Sequence, residues 1–239
     1  MCLINLKMVW QEVSIAQKEN RHEIILTGSE ISNQISKNGL DYTIFSLINL
    51  NYLNIHETCL TSVPDEIEKL SNLQTLVLHS NKLETITSKI ACLNKLKILD
   101  LSGNLLKILP DEISTLSQLV TLNISNNQLE NLPKFEKNSK LTVVNASNNK
   151  LTQFPDVCYS EMTSLSELYC SSNKIEVVPN TIGTLSSLKI LLLNSNEIKE
   201  IPGDLSNCTK LKDLNLKENP ISDKRLLKLI SQGHIKKSN

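Results

Sequence analysis

Two histidines, His56 and His79, and the carboxylate of Asp100 recur at intervals of 23 and 21 residues. Two imidazoles and a carboxylate are a donor set that zinc accepts. No fourth ligand or supporting shell accompanies them, and a solvated polar edge accounts for the same residues, so no metal is expected. The six cysteines (Cys2, Cys59, Cys92, Cys158, Cys170 and Cys208) are dispersed along the chain. Their spacing suits small apolar side chains better than bridges or nucleophiles, which favours a reducing compartment, the cytosol. None of the six glycines stands in a G-x-G-x-x-G or G-K-S/T setting, so no phosphate-cradling loop is expected. No histidine is matched by pattern to a cysteine or serine nucleophile. These residues predict a non-catalytic protein without a cofactor.

What would position any such side chain is a repeated element. The pattern L-x-x-L-x-L-x-x-N-x-L starts at Leu50, Leu73, Leu96, Leu119, Leu141, Leu165, Leu188 and Leu211. Within one copy, Leu99 and Leu101 are two apart, the period of a strand, and Asp100 between them must face the other way. Parallel strands need a crossover on the far side. Residues 106–116 supply it, with Pro110 ending the outgoing loop and Ile113 and Leu116 three apart as on a short helical turn. Asn81, Asn104, Asn127, Asn149, Asn173, Asn196 and Asn219 fill one slot where the chain leaves the strand. A buried amide offers both a donor and acceptors to backbone groups that lose their sheet partners there. Thr58 takes that slot in the first copy.

A period in the twenties with this internal pattern resembles the leucine-rich repeats. The resemblance implies an α/β leucine-rich-repeat solenoid, with a curved parallel sheet on the concave side and short helical or 3-10 segments on the convex side. Residues 50–221 hold eight repeats. Residues 1–49 form a helical cap and a degenerate first repeat. Residues 222–239 form a closing helix and a basic tail. Pro64, Pro110, Pro133, Pro155, Pro179 and Pro202 follow the turn in six copies, and Thr87 stands there in the second. This ending resembles intracellular repeat proteins of the Ras-regulator type, which by analogy suggests a regulator docking on a phosphatase or small GTPase. The fifth copy, longer by a residue around QFPDVCYSEMTSL, predicts a bulge on the convex side.

At the N-terminal end, Trp10, Val13 and Ala16 are spaced for one helix face, and Ile24, Leu26, Ser29 and Ile31 fit the strand-to-turn spacing of the repeats. Residues 31–45 read as a connector. At the other end, Leu226, Leu227 and Ile230 suit a closing helix, and Lys224, Arg225, Lys228, Lys236 and Lys237 make the tail basic. Cations at a helix C-terminus and a solvated tail explain these charges as well as contact with RNA phosphates does. The formal net charge is zero, so no strong field draws the chain to nucleic acid or membrane. No apolar run approaches bilayer length.

The segment W-x-E-x-x-x-A-x-x-x-x-R-x-E-I-I-L-T-G, Trp10 to Gly28, and the Asp223-Lys224-Arg225-Leu226 segment resemble the flanks in the leucine-rich repeat-containing protein 47 family. Members of that family continue into a domain similar to the B3/B4 region of the phenylalanyl-tRNA synthetase β subunit. The sequence stops at Asn239, before such a domain. The resemblance therefore implies a fragment, a truncated gene model or a short form, and RNA linkage enters only through the family.

Solenoids of this kind bind along the concave sheet. One outward row predicted from the alternation is Asn54, Val77, Asp100, Asn123, Asn145, Tyr169, Leu192 and Asn215. The row beside it is Tyr52, Thr75, Ile98, Thr121, Val143, Glu167, Ile190 and Asp213. Tyr169, Ile190 and Leu192 predict an apolar patch, and Asn123 and Asn145 a polar centre suited to a peptide, although plain solubility explains the pair equally. The expected function is a monomeric protein-interaction scaffold with one protein partner on the concave face. The alternative is an accessory arm of a translation- or tRNA-associated protein.

Overall fold

A computed structural model describes residues 10–135, 138–156 and 162–222. Residues 157–161, the middle of the 153–165 stretch where a bulge is expected, lie outside the described residues, as do the closing helix and the basic tail. Among the described residues nine short parallel strands form one sheet in strict sequence order: β1 (Glu23–Thr27), β2 (Tyr52–His56), β3 (Thr75–Val77), β4 (Ile98–Asp100), β5 (Thr121–Asn123), β6 (Val143–Asn145), β7 (Glu167–Tyr169), β8 (Ile190–Leu192) and β9 (Asp213–Asn215). The register keeps equivalent residues abreast: Thr75 pairs with Ile98, Leu76 with Leu99 and Val77 with Asp100. In every strand the residue facing inward is apolar and buried, from Leu53 and Leu76 to Leu191 and Leu214. Each such side chain contributes about 1.5–3 kcal/mol of hydrophobic stabilisation, drawn from contact with the rungs beside it.

The opposite side is made of single 3-10 turns. Asp65–Lys69, Ser88–Cys92, Asp111–Thr115, Asn180–Thr184 and Gly203–Asn207 each bury one central aliphatic residue: Ile67, Ile90, Ile113, Ile182 and Leu205. Proline precedes four of these turns, where its fixed φ suits the entry and its missing N–H costs nothing. Thr87 replaces it in the second copy and caps its turn by accepting the Lys89 N–H at 3.1 Å. In the fourth copy Phe135 takes the isoleucine slot and Asn138 the leucine slot, both fully buried. The Asn138 amide donates to Leu116 O at 3.0 Å and to Ile113 O at 3.4 Å, and its own Oδ1 is left without a partner.

The N-terminal region departs from the sequence reading. Glu23–Thr27 does pair with β2 as the first rung. Ser29 and Ile31, however, do not continue it as a turn. They lie in helix α2 (Gly28–Asn38), which buries Ile31 and Ile35. The supposed connector is therefore this helix followed by a 3-10 turn at Tyr42–Ser46. The reason is visible in the spacing: Ile24 and Leu26 are two apart, whereas Ile31 and Ile35 are four apart. Helix α1 (Gln11–Lys18) buries Val13 and Ala16. Its entry is fixed by the buried carboxylate of Asp41, which accepts Trp10 N–H at 2.7 Å and Thr43 N–H at 2.9 Å.

Candidate concave binding face

The asparagine ladder fixes how each strand ends. Asn127 donates to Leu101 O (3.0 Å), Ile124 O (3.1 Å) and Ser125 O (3.2 Å), and accepts Leu106 N–H at 3.0 Å. Two of those four partners belong to the preceding rung. Asn104, Asn149, Asn173, Asn196 and Asn219 repeat the arrangement. Asn81 donates to Ile55 O and Leu78 O, and its Oδ1 accepts from the N–H and hydroxyl of Thr58, the residue that stands in the ladder slot one rung earlier. The residue before each ladder position is left-handed: Glu57, Ser80, Gly103, Asn126, Asn148, Ser172, Ser195 and Glu218 have φ between 52° and 64°. Glycine is used once in this column. A side chain on Gly103 would put its Cβ 3.3 Å from the backbone nitrogen of Ser80.

These turns hold the outward rows in register. Val77, Asp100, Asn123, Asn145, Tyr169, Leu192 and Asn215 lie abreast across seven strands, and Thr75, Ile98, Thr121, Val143, Glu167, Ile190 and Asp213 abreast beside them. Tyr52 and Asn54 extend the rows onto β2, and Glu23 and Ile25 onto β1. Ile25 is 54% exposed and Ile98 39% exposed. Ile25 was missed in the sequence reading, although its place between the inward Ile24 and Leu26 marks it as outward.

Several of the polar members are already engaged. Asn54 is buried, donates to the Tyr52 hydroxyl at 3.1 Å and lies 2.8 Å from His56 Nδ1. Asn123 Oδ1 accepts the Ser125 hydroxyl at 2.9 Å, and its amide donates to Asp100 Oδ2 at 3.2 Å. Asn145 Oδ1 accepts Ser147 N–H at 3.1 Å, and Asn215 Oδ1 accepts Lys217 N–H at 3.1 Å. The polar centre thus turns its acceptors back onto the strand exits. His56 and His79 do meet, with ring centroids 4.7 Å apart. Asp100 instead serves Ser102, at 2.9 Å to its N–H and 2.6 Å to its hydroxyl. Among the described residues no three His, Cys, Asp or Glu side chains converge on a metal position.

The C-terminal end of the face is different. Tyr169, Ile190 and Leu192 are part-exposed neighbours on β7 and β8. The Tyr169 hydroxyl donates to Glu167 Oε2 at 2.7 Å. Burial pushes the phenol up to about 12, and the hydrogen bond to Glu167 and the charges of Glu167 and Asp213 add to the shift. Cys170, directly behind on the core side, is fully buried, and burial raises its thiol well above the ordinary range. Cys59, Cys92 and Cys208 are also free thiols. No helix among the described residues is long and apolar enough to cross a membrane.

A leucine rich repeat family model matches residues 71–129 and 163–221. This is a leucine-rich-repeat solenoid. Solved structures agree in fold. The internalin inlF from Listeria monocytogenes str. 4b F2365 superposes with a TM-score of 0.73 at 24% identity, over 87% of this chain and 58% of the internalin. The ectodomain of the plant receptor kinase GASSHO1/SCHENGEN3 from Arabidopsis thaliana, in complex with CASPARIAN STRIP INTEGRITY FACTOR 2, gives 0.71 at 28% identity, over 88% of this chain and 29% of the receptor. TLR13 in complex with ssRNA13 gives 0.64 at 25% identity, over 75% and 27%. The chain spans little more than half the length of the first of these and under a third of the two receptors. No curated protein sequence matches it.

Proposed function

We propose that this repeat solenoid is a non-catalytic scaffold that binds one protein partner on its concave face. The fold is typical of protein-interaction scaffolds, and one similar solenoid was solved in complex with a factor bound to it. The observation that carries the reading is the part-exposed group Tyr169, Ile190 and Leu192, held on a stiff sheet beside carboxylates. Apolar groups rimmed by polar ones mark partner sites, and tyrosine is enriched where binding energy concentrates. We place the protein in the cytosol as a monomer, in keeping with Cys170 and Cys208 used as core hydrophobes. The likeness of its flanks to the leucine-rich repeat-containing protein 47 family belongs to the same reading.

A photo-crosslinking residue at Leu192 tests it. The expected result is a discrete protein adduct in cells, lost in Tyr169→Ala/Leu192→Asp, with no such adduct from a crosslinker at Ile108 on the flank. An adduct pattern identical at the two positions rejects the concave face.

The second reading, an accessory arm contacting RNA, draws on the family resemblance and on the TLR13–ssRNA13 complex of a similar solenoid. The electrostatics of the described face count against it. Its outward rows carry Glu23, Asp100, Glu167 and Asp213 and no lysine or arginine. Phosphate binding needs the reverse balance. Filter binding to total RNA decides the matter: salt-insensitive or absent retention rejects RNA contact.

A further inference from the structure

The two outward rows together form a small site of definite chemistry on β7, β8 and β9. Ile190 lies in register between Glu167 on one neighbouring strand and Asp213 on the other. Strands are spaced about 4.8 Å apart, which sets the two carboxylates roughly 10 Å apart with an apolar floor between them. Leu192 and the Tyr169 ring border that floor in the adjoining row. Neither carboxylate is neutralised: the ion pairs among the described residues are Arg21–Glu19, Lys89–Glu68 and Lys199–Glu176. Lys189 and Lys212 each precede a site residue just outside β8 and β9, are exposed, and form no ion pair with either carboxylate. One carboxylate is pre-aimed, because the Tyr169 hydroxyl fixes Glu167 Oε2.

We infer, building on the scaffold reading above, that this site takes a protein segment through an arginine or lysine next to an apolar residue. The cation sits between Glu167 and Asp213 and against the Tyr169 ring, whose π face attracts it. Its aliphatic stem lies over Ile190, as long basic side chains cover apolar surface while keeping the charge in contact with polar groups. The apolar neighbour rests on Leu192. Charge complementarity selects this occupant: an acidic segment would meet two unneutralised carboxylates, and a purely apolar one would strip them of water without return. Arginine suits the site better than lysine because its planar fork can meet a carboxylate and stack on the phenol ring together.

Random peptides displayed on phage and selected on the full chain test this directly. The expected outcome is enrichment of peptides with a basic residue adjacent to an apolar one. Replacing that basic residue by glutamine, or using Glu167→Gln/Asp213→Asn protein, should weaken binding on the order of tenfold, the combined effect of two part-exposed ion pairs. The loss should shrink at high salt. Circular dichroism and the urea midpoint of the double variant check that the sheet is intact, and the charge-reversing Glu167→Lys/Asp213→Lys pair should invert the preference toward acidic peptides. Peptides whose binding is abolished by Leu192→Asp but untouched by Glu167→Gln/Asp213→Asn overturn this inference and leave the scaffold reading standing. Absence of any peptide sensitive to concave substitutions overturns both.

Discussion

Asn127 makes four hydrogen bonds through one amide, and two of its partners lie in the neighbouring rung. Asn127→Ala should cost about 1–3 kcal/mol in urea unfolding, because Leu101 O and Leu106 N–H have no ready replacement in a buried turn. The ladder was legible in the sequence, since one residue type at a fixed slot leaves little choice of role. The outward asparagines were less so. Asn123 and Asn145 look alike in the sequence whether they face a ligand or their own chain, and the local turn claimed their acceptors. Tyr169 gives a separate test by titration. Its folded-state pKa is raised to about 12 from 10.0, so the folded state holds the proton more tightly than the unfolded one. Any stability it lends is complete below pH 10 and is lost as pH rises toward 12. Alkaline absorbance titration should show a late-titrating component that Tyr169→Phe removes.

At the scale of elements, the fourth copy is the weak one. Asn138 stands where other copies bury leucine, methionine or Cys208, and its Oδ1 has no partner. The two carbonyls it donates to already accept Leu116 N–H and Leu119 N–H. Asn138→Leu should therefore stabilise the protein by on the order of 1–2 kcal/mol, seen as a higher urea midpoint with an unchanged slope. A lower midpoint would show that the amide's donors outweigh its orphaned acceptor. Strand positions and 3-10 turns were readable from period and proline. Helix α2 was not, because Gly28 and Ser29 look like the turn that follows other strands, while tertiary packing of Ile31 and Ile35 against the first rung made a helix instead.

For the whole molecule, core and face are separable because alternate residues serve each. Leu122→Ala, in a fully buried slot, should lower stability by about 2–5 kcal/mol. Tyr169→Ala/Leu192→Asp should cost far less and still abolish partner crosslinking. Thermal melts of the two variants side by side check this, and a melt of the surface variant as low as that of Leu122→Ala would mean the face is structural. The solenoid itself was legible because a repeat that cannot close its own core must stack. The chemistry of its occupant was not, because it depends on side chains from three successive rungs, distant in sequence yet neighbours in space. The stacking also has a grain. Each ladder amide reaches backward, so the Ile198 N–H depends on Asn219 and the Ile175 N–H on Asn196. Peeling rungs from the C-terminal side uncaps the turn left behind, whereas peeling from the other side strands only a side chain that water can reach. The molecule should unzip more readily in one direction than in the other when pulled.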